Sequence, residues 1–181
     1  ASEHAVPSKV EAMRELGAQV HLIPGGYGEA EQAGISFARE TQAAWISPYN
    51  DGQVIAGQGT LALEVLADLP DSRDYTWLVP VGGGGLISGI GATLAVLAPA
   101  HRLIGVQSEA SAFMYGLVVR GTQEGIQDLP SLADGLSGPV EDGAVTIPLV
   151  RRYVREIVLV SEAEIASSIA FAWARYHERI E

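Results

Sequence analysis

Cysteine is absent from the 181-residue sequence, and lysine occurs once, as Lys9. Without cysteine the chain has neither a disulfide framework nor a thiolate metal site. Its 11 basic residues stand against 22 acidic ones, which gives a formal net charge of −11. Proteins that bind nucleic acid concentrate basic residues on one surface, and here those residues are few and spread thinly. We therefore expect no nucleic-acid partner.

Long apolar runs are missing as well. No stretch reaches the roughly 18 residues of a membrane-spanning helix, and no signal sequence opens the chain. The four histidines are too far apart in sequence to suggest the spacing of metal ligands. We expect a soluble, cytoplasmic protein that has no membrane partner.

Glycine is plentiful, and four glycines stand together after a short apolar run at residues 75–81, which predicts a buried strand. They are Gly82, Gly83, Gly84 and Gly85. From Leu86 onward apolar residues recur at helical spacing. Backbone N–H groups converge at such a strand–glycine–helix junction, and the positive end of the helix dipole adds to them. The pattern predicts an anion site; the alternative is a linker or a turn that only lets helix and sheet pack closely.

Two common phosphate-binding motifs fit this stretch poorly. A Walker loop needs a lysine after its glycines, and Lys9 is far away in sequence. The dinucleotide fingerprint has its third glycine where Ser88 stands. The next predicted strand also ends in Gln107, where an NAD site has a carboxylate for the ribose. A dinucleotide ligand therefore stays open but has little support.

Four blocks of sequence together identify a family resemblance. They are PYNDGQVIAGQGTLALEV at residues 48–65, VPVGGGGLISGIG at 79–91, GVQSEA at 105–110 and LADGL at 132–136. In this order and at this spacing they closely resemble the pyridoxal-phosphate enzymes of the serine/threonine dehydratase and serine racemase type. Those enzymes belong to the tryptophan synthase β family, also called fold type II.

The resemblance implies a binding site for pyridoxal 5′-phosphate. The phosphate of the cofactor is expected on the backbone N–H groups of the four glycines and of Leu86. Asp134 and Gly135 match an Ala-Asp-Gly block near the cofactor, although an Asp-Gly pair is also a common turn. Glu181 matches a family glutamate that is expected at the cofactor.

The same resemblance implies that this chain contains no catalytic residue. The Schiff-base lysine of relatives would precede Ala1, and Lys9 instead matches a lysine on a helix surface. The loop that binds the substrate carboxylate would also precede Ala1, and the partner of the pyridine nitrogen would follow Glu181. We therefore expect an internal fragment of an enzyme that is inactive by itself.

Racemase-like members of the family bind a divalent cation through carboxylates that follow a strand. Gln107 and Phe113 stand at the matching positions, and Glu109 alone would not restore the site. No metal is expected.

Strands alternate with helices along the chain. This alternation predicts an α/β fold with a mostly parallel, twisted sheet flanked by helices, in a Rossmann-like three-layer arrangement. Strands are expected at residues 75–81, 103–107 and 156–160, with residues 75–81 near the centre of the sheet. The last helix should begin with a capping box formed by Ser161 and Glu164. Its buried face is expected to comprise Ile165, Ile169, Trp173, Tyr176 and Ile180.

A second, smaller α/β lobe is predicted at the start of the chain. Two short strands, residues 20–23 and 43–47, are expected there between helices. We expect part of this small lobe at residues 1–52 and part of the large cofactor-binding lobe at residues 53–181.

The leading functional hypothesis is a pyridoxal-phosphate-dependent lyase that acts on a small amino acid. It would dehydrate serine or threonine and give a 2-oxo acid and ammonia. A racemase or a β-replacement enzyme with the same cofactor stays open, as does a non-catalytic phosphate-binding domain. Unpaired strand edges promote association, so we expect a homodimer.

Overall fold

The computed structural model describes residues 1–70 and 73–180. The chain divides into two compact units, Ala1–Ile46 and Ser47–Glu181. The assignment of residues 1–52 and 53–181 to a small and a large lobe of the family stays a prediction.

The first unit contains two helices, α1 (Pro7–Glu15) and α2 (Tyr27–Thr41). The strand predicted at residues 20–23 is wrong, because only a single bridge between Ser2 and Ile23 forms there. The strand predicted at residues 43–47 is also wrong, because those residues have no regular secondary structure. A strand needs a neighbour to pair with, and local sequence does not say whether one is present.

The described residues of the second unit form three strands: β1 (Thr76–Pro80), β2 (Arg102–Ser108) and β3 (Glu156–Val160). They form a parallel sheet in the order β1-β2-β3. The three predicted strands and the α/β class are thus confirmed. The central position predicted for residues 75–81 is wrong for the described residues, because β2 lies in the middle. Sequence order along a chain does not fix the lateral order of parallel strands.

In the part of the chain that the structure describes, five helices accompany this sheet: α3 (Gly52–Asp68), α4 (Gly85–Leu97), α5 (Phe113–Val119), α6 (Thr146–Tyr153) and α7 (Glu162–Tyr176). Two single 3₁₀ turns, Glu109–Ser111 and Asp134–Leu136, lie in the connections. Helix α4 packs its apolar side chains Ile87, Ile90 and Leu94 into the core of the unit.

Helices α3 and α4 cross at very close range. A Cβ added to Gly89 of α4 would lie 2.3 Å from the carbonyl oxygen of Ile55 in α3. One added to Gly59 of α3 would lie 3.0 Å from the carbonyl oxygen of Gly89. The crossing therefore requires glycine on both helices, and it fixes where the N-terminus of α4 lies.

One face of the sheet and helix α7 remain partly exposed. Leu78 is 68% exposed and Val158 is 44% exposed, on the face opposite the buried Val79. The capping box of α7 is confirmed, since Ser161 and Glu164 exchange both of its hydrogen bonds.

The buried face predicted for this last helix is wrong. Ile165 and Ile169 are half-buried, whereas Trp173, Tyr176 and Ile180 are exposed. An apolar stripe shows which face a helix could bury, but burial requires a surface to pack against.

Candidate anion-binding site

Strand β1 runs directly into the four glycines, and α4 starts at the last of them. Gly84 is the N-cap of α4 and has φ 88°, a left-handed conformation that favours glycine. The first bond of the helical ladder is the one that Ser88 N–H donates to Gly84 O, at 3.0 Å. The turn from strand to helix is therefore made by glycine backbone alone.

The N–H groups of this loop have no acceptor in the described part of the chain. No carbonyl and no side chain accepts from the backbone N–H of residues 82–87, and the helix has no side-chain cap. These groups lie at the positive end of the α4 dipole. A phosphate dianion matches such a row of donors, so the residues present fit the phosphate of a cofactor.

Tyr49 supports the loop from beneath. A Cβ on Gly83 would lie 2.4 Å from Tyr49 Cγ, so only glycine fits there. A Cβ on Gly85 would also be close, 3.0 Å from the Cα of Tyr49. The Tyr49 side chain is buried, and its hydroxyl accepts from Glu141 N–H at 2.8 Å. The ring of Tyr49 thus fixes the position of the glycine turn above it.

The other side of the loop is closed by α5 and α6. A Cβ on Gly84 would lie 2.8 Å from Met114 Cε, 3.1 Å from Thr146 Cβ and 3.2 Å from Val150 Cγ2. Thr146 is fully buried, and its hydroxyl donates to Gly83 O at 2.7 Å. This bond keeps the Gly83 carbonyl turned into the protein.

Asn50 joins the segment under the loop to the start of α6. Its Nδ2 donates to Glu141 Oε2, and its Oδ1 accepts from Val145 N–H, both at 2.8 Å. Ser47 Oγ in turn accepts from Asn50 N–H at 2.9 Å. The support of the loop is therefore a connected hydrogen-bonded unit.

The predicted site residues are only partly brought together. Asp134 and Gly135 lie in an exposed 3₁₀ turn whose last residue, Leu136, contacts Gly82. Leu86 follows the glycines in the first turn of α4 and is half-buried. Glu181 lies outside the described residues.

The position of the racemase-type cation site is filled by an internal hydrogen bond. Gln107 is buried, and its Oε1 accepts from Tyr115 N–H at 2.9 Å in the first turn of α5. Within residues 1–70 and 73–180, no group of three histidine, aspartate or glutamate side chains could hold a metal ion.

Glu162 connects the segment before the Asp134 turn to the rest of the unit. Its carboxylate accepts from Ser131 Oγ at 2.6 Å, Leu132 N–H at 2.8 Å and Ser108 Oγ at 2.9 Å. The hydrogen bond from Ser131, followed by that from Leu132, lowers the pKa of Glu162 below its ordinary value of 4.5. The carboxylate is thus held in its charged form.

The sequence predicts the glycines and Leu86 but does not indicate Tyr49, Asn50 or Thr146. By composition, residues 48–52 form only a turn. The available signal was the family block at residues 48–65, which contains Tyr49 and Asn50 beside the residues of α3.

Comparison with known proteins agrees with this geometry. The family model described as pyridoxal-phosphate dependent enzyme matches residues 1–180. The chain is 43% identical over 168 residues to an L-threonine ammonia-lyase of Thermotoga maritima, which covers 93% of this chain and 41% of that protein. The chain thus spans less than half the length of this relative.

Solved structures of similar fold include racemases and deaminases. A serine racemase from Dictyostelium discoideum superposes with a TM-score of 0.81 at 30% identity, over 99% of this chain and 56% of that chain. The processed form of threonine deaminase isoform 2 from Solanum lycopersicum has a TM-score of 0.85 at 26% identity, over 99% and 52%.

Proposed function

The chain belongs to the family of pyridoxal-phosphate-dependent enzymes, and on that premise we propose that it belongs to a lyase acting on threonine or serine. The reaction releases ammonia and leaves a 2-oxo acid. The row of N–H groups at residues 82–87, which have no acceptor in the described residues, is the observation that supports the cofactor site. The 43% identity to an L-threonine ammonia-lyase supports the choice of reaction.

In this proposal the chain binds the cofactor's phosphate. The N–H groups of the four glycines and Leu86 donate to the phosphate oxygens, and Tyr49 and Thr146 hold the loop in shape. Asp134, Gly135 and Glu181 are proposed to lie at the cofactor. Pyridoxal phosphate, when bound, withdraws electrons from the α-carbon of an amino acid, which makes the α-proton and the β-hydroxyl easier to remove.

A lyase is preferred to a racemase because of Gln107. In the racemase-like pattern this position has a carboxylate for a cation. Here the Gln107 amide oxygen instead accepts from the Tyr115 backbone at 2.9 Å. An amide that is already hydrogen-bonded and uncharged is a weak ligand for a divalent cation.

The substrate is proposed to be a small amino acid, as the name of the Thermotoga relative suggests. None of the described helices combines the length and the apolar composition of a membrane span. The homodimer and the cytoplasmic location stay predictions.

A Gly84→Asp variant tests the phosphate site. The substitution places a negative charge at the helix N-terminus and a side chain where φ is 88°, with Met114 and Thr146 close by. We expect the affinity of the 181-residue chain for pyridoxal phosphate, measured by phosphorus NMR titration, to fall at least about tenfold, since like charges repel strongly at short range. Pyridoxal without its phosphate should bind the unaltered chain equally weakly.

Gly121→Asp is the matched control. Gly121 also has a left-handed φ, 79°, and a Cβ there would meet nothing within 4 Å. It adds the same charge and a similar backbone strain outside the loop, so its affinity should match that of the unaltered chain. Unchanged affinity in a folded Gly84→Asp variant, checked by circular dichroism, would refute the assignment.

A further inference from the structure

Residues 131–138 form the wall of the anion-binding site next to Gly82. A Cβ on Gly82 would lie 2.9 Å from the carbonyl oxygen of Leu136 and 3.2 Å from its Cα. The two backbones therefore touch without any side chain between them. A displacement of Leu136 would therefore also displace Gly82, the first glycine of the loop.

Short-range hydrogen bonds within residues 131–137 hold the shape of this wall, but they do not tie it to the rest of the unit. It contains one 3₁₀ turn, Asp134–Leu136, and Asp134 and Gly135 are exposed. Ser111 fixes its far end, since Ser111 Oγ accepts from Gly138 N–H at 2.9 Å and donates to Asp128 at 2.7 Å. Exposed loops depend on such anchors for a defined conformation.

Glu162 fixes its near end. One carboxylate oxygen accepts from Ser108 and Ser131, and the other accepts from Leu132 N–H. Three donors from two segments thus meet on one side chain of α7. Charged hydrogen bonds of this length are stronger than neutral ones.

We propose that Glu162 is a positioning residue for the anion-binding loop. By holding Ser131 and Leu132, it keeps Leu136 against Gly82, and so keeps the N–H groups of residues 82–86 aligned for a phosphate. The inference rests on the proposed function, because it assigns Glu162 to the same phosphate site. Among the described residues, the Glu162 carboxylate bonds to Ser108, Ser131 and Leu132 and not to the glycine loop.

A carboxylate suits this position because its two oxygens accept from all three groups at once and carry a charge. In Glu162→Gln the side chain has one oxygen and one NH₂ group. The oxygen can accept from Leu132 N–H, and the NH₂ group can donate to the serine hydroxyls once these turn to accept. The variant keeps the size of the side chain and replaces charged hydrogen bonds with weaker neutral ones.

The test is amide hydrogen exchange of the ligand-free 181-residue chain, together with its affinity for pyridoxal phosphate. In Glu162→Gln we expect faster exchange at residues 131–136 and also at Val81 and Ser88, the hydrogen-bonded amides on either side of the loop. The affinity for pyridoxal phosphate should fall about tenfold. This is the effect expected when the site loses the ordering that one charged hydrogen bond contributes.

Glu164→Gln is the matched control. Glu164 lies on the same first turn of α7, and among the described residues its carboxylate accepts only from Ser161, from N–H at 2.8 Å and from Oγ at 2.7 Å. Its loss should speed exchange at the start of α7 and leave Val81, Ser88 and the affinity unchanged.

The possible failures are distinguishable. If Glu162→Gln speeds exchange only at residues 131–136, or if both variants act alike at Val81 and Ser88, then the positioning role is refuted and Glu162 is only a structural anchor. If the unaltered chain does not bind pyridoxal phosphate, the proposed function fails, and the exchange at Val81 and Ser88 still decides the role of Glu162.

Discussion

Two glutamates on the first turn of α7 have different structural roles. Glu164 closes a capping box with Ser161 and so stabilises the start of its own helix. Glu162 reaches away from the helix to Ser108, Ser131 and Leu132. Spacing alone indicates the first role, whereas the second depends on segments distant in sequence.

The stability of the chain should fall in acid partly through these two groups. Hydrogen bonds from Ser131 and Leu132 lower the pKa of Glu162, and those from Ser161 lower the pKa of Glu164, each below an ordinary value of 4.5. A lowered folded pKa means that the stabilisation is present above pH 4.5 and is lost as pH falls through the folded pKa. Melting temperatures measured across this range should therefore drop less steeply for a Glu162→Gln/Glu164→Gln double variant than for the unaltered chain. Equal slopes would contradict this expectation.

Tyr49 illustrates a limit of sequence reasoning at the residue level. Its ring decides that residue 83 must be glycine, yet the two residues are far apart in the sequence. Local patterns indicate that a glycine turn exists and that an anion would suit it. They do not indicate which side chain lies beneath the turn, because that depends on the packing of α3, α4 and the sheet.

Among the elements, the crossing of α3 and α4 leaves very little room for an added side chain. We expect Gly89→Ala to lower the free energy of unfolding by about 1–3 kcal/mol, because the new methyl group would meet backbone atoms of Ile55 and Gly59, which cannot rotate away. Urea denaturation would measure the change.

Gly57→Ala, in the same helix α3, serves as its control. A Cβ on Gly57 meets nothing within 4 Å. This change should be neutral or raise the free energy of unfolding by about 0.4–1 kcal/mol, since alanine loses less backbone entropy on folding. A Gly89→Ala variant as stable as Gly57→Ala would show that the crossing can relax.

Elements with a strong pattern in the local sequence were predictable. Strands β1, β2 and β3, the glycine turn and the capping box of α7 all follow from local patterns. Predictions that required a distant surface failed: the strands at residues 20–23 and 43–47 did not form, and Trp173 and Tyr176 are exposed. The prediction that residues 75–81 lie near the centre of the sheet failed for the same reason.

For the whole molecule, we expect that the chain binds pyridoxal phosphate but does not catalyse the reaction. The 181-residue chain, supplied with pyridoxal phosphate and threonine, should release no 2-oxobutanoate. Its only lysine, Lys9, is exposed on α1 in the unit Ala1–Ile46, and it matches a surface lysine of the family. Proton transfer by a side chain requires hydrogen-bond reach, about 3 Å.

A coupled assay for 2-oxobutanoate would test this, with the Thermotoga maritima L-threonine ammonia-lyase as the positive control. Suppose that the chain steadily releases 2-oxobutanoate and that this release disappears in Lys9→Ala. The prediction would then be overturned, and Lys9 would be the catalytic base.

The connections of the sheet also determine how far the chain must fold back on itself. Thr76 of β1 pairs with Arg102 of β2, whereas Ile104 of β2 pairs with Glu156 of β3 across a loop about twice as long. Each doubling of loop length adds about 0.6 kcal/mol to the entropic cost of closure. The glycines and α4 lie within the shorter loop. The stretch of chain that forms the anion site is therefore also the one whose ends meet at the lower entropic cost.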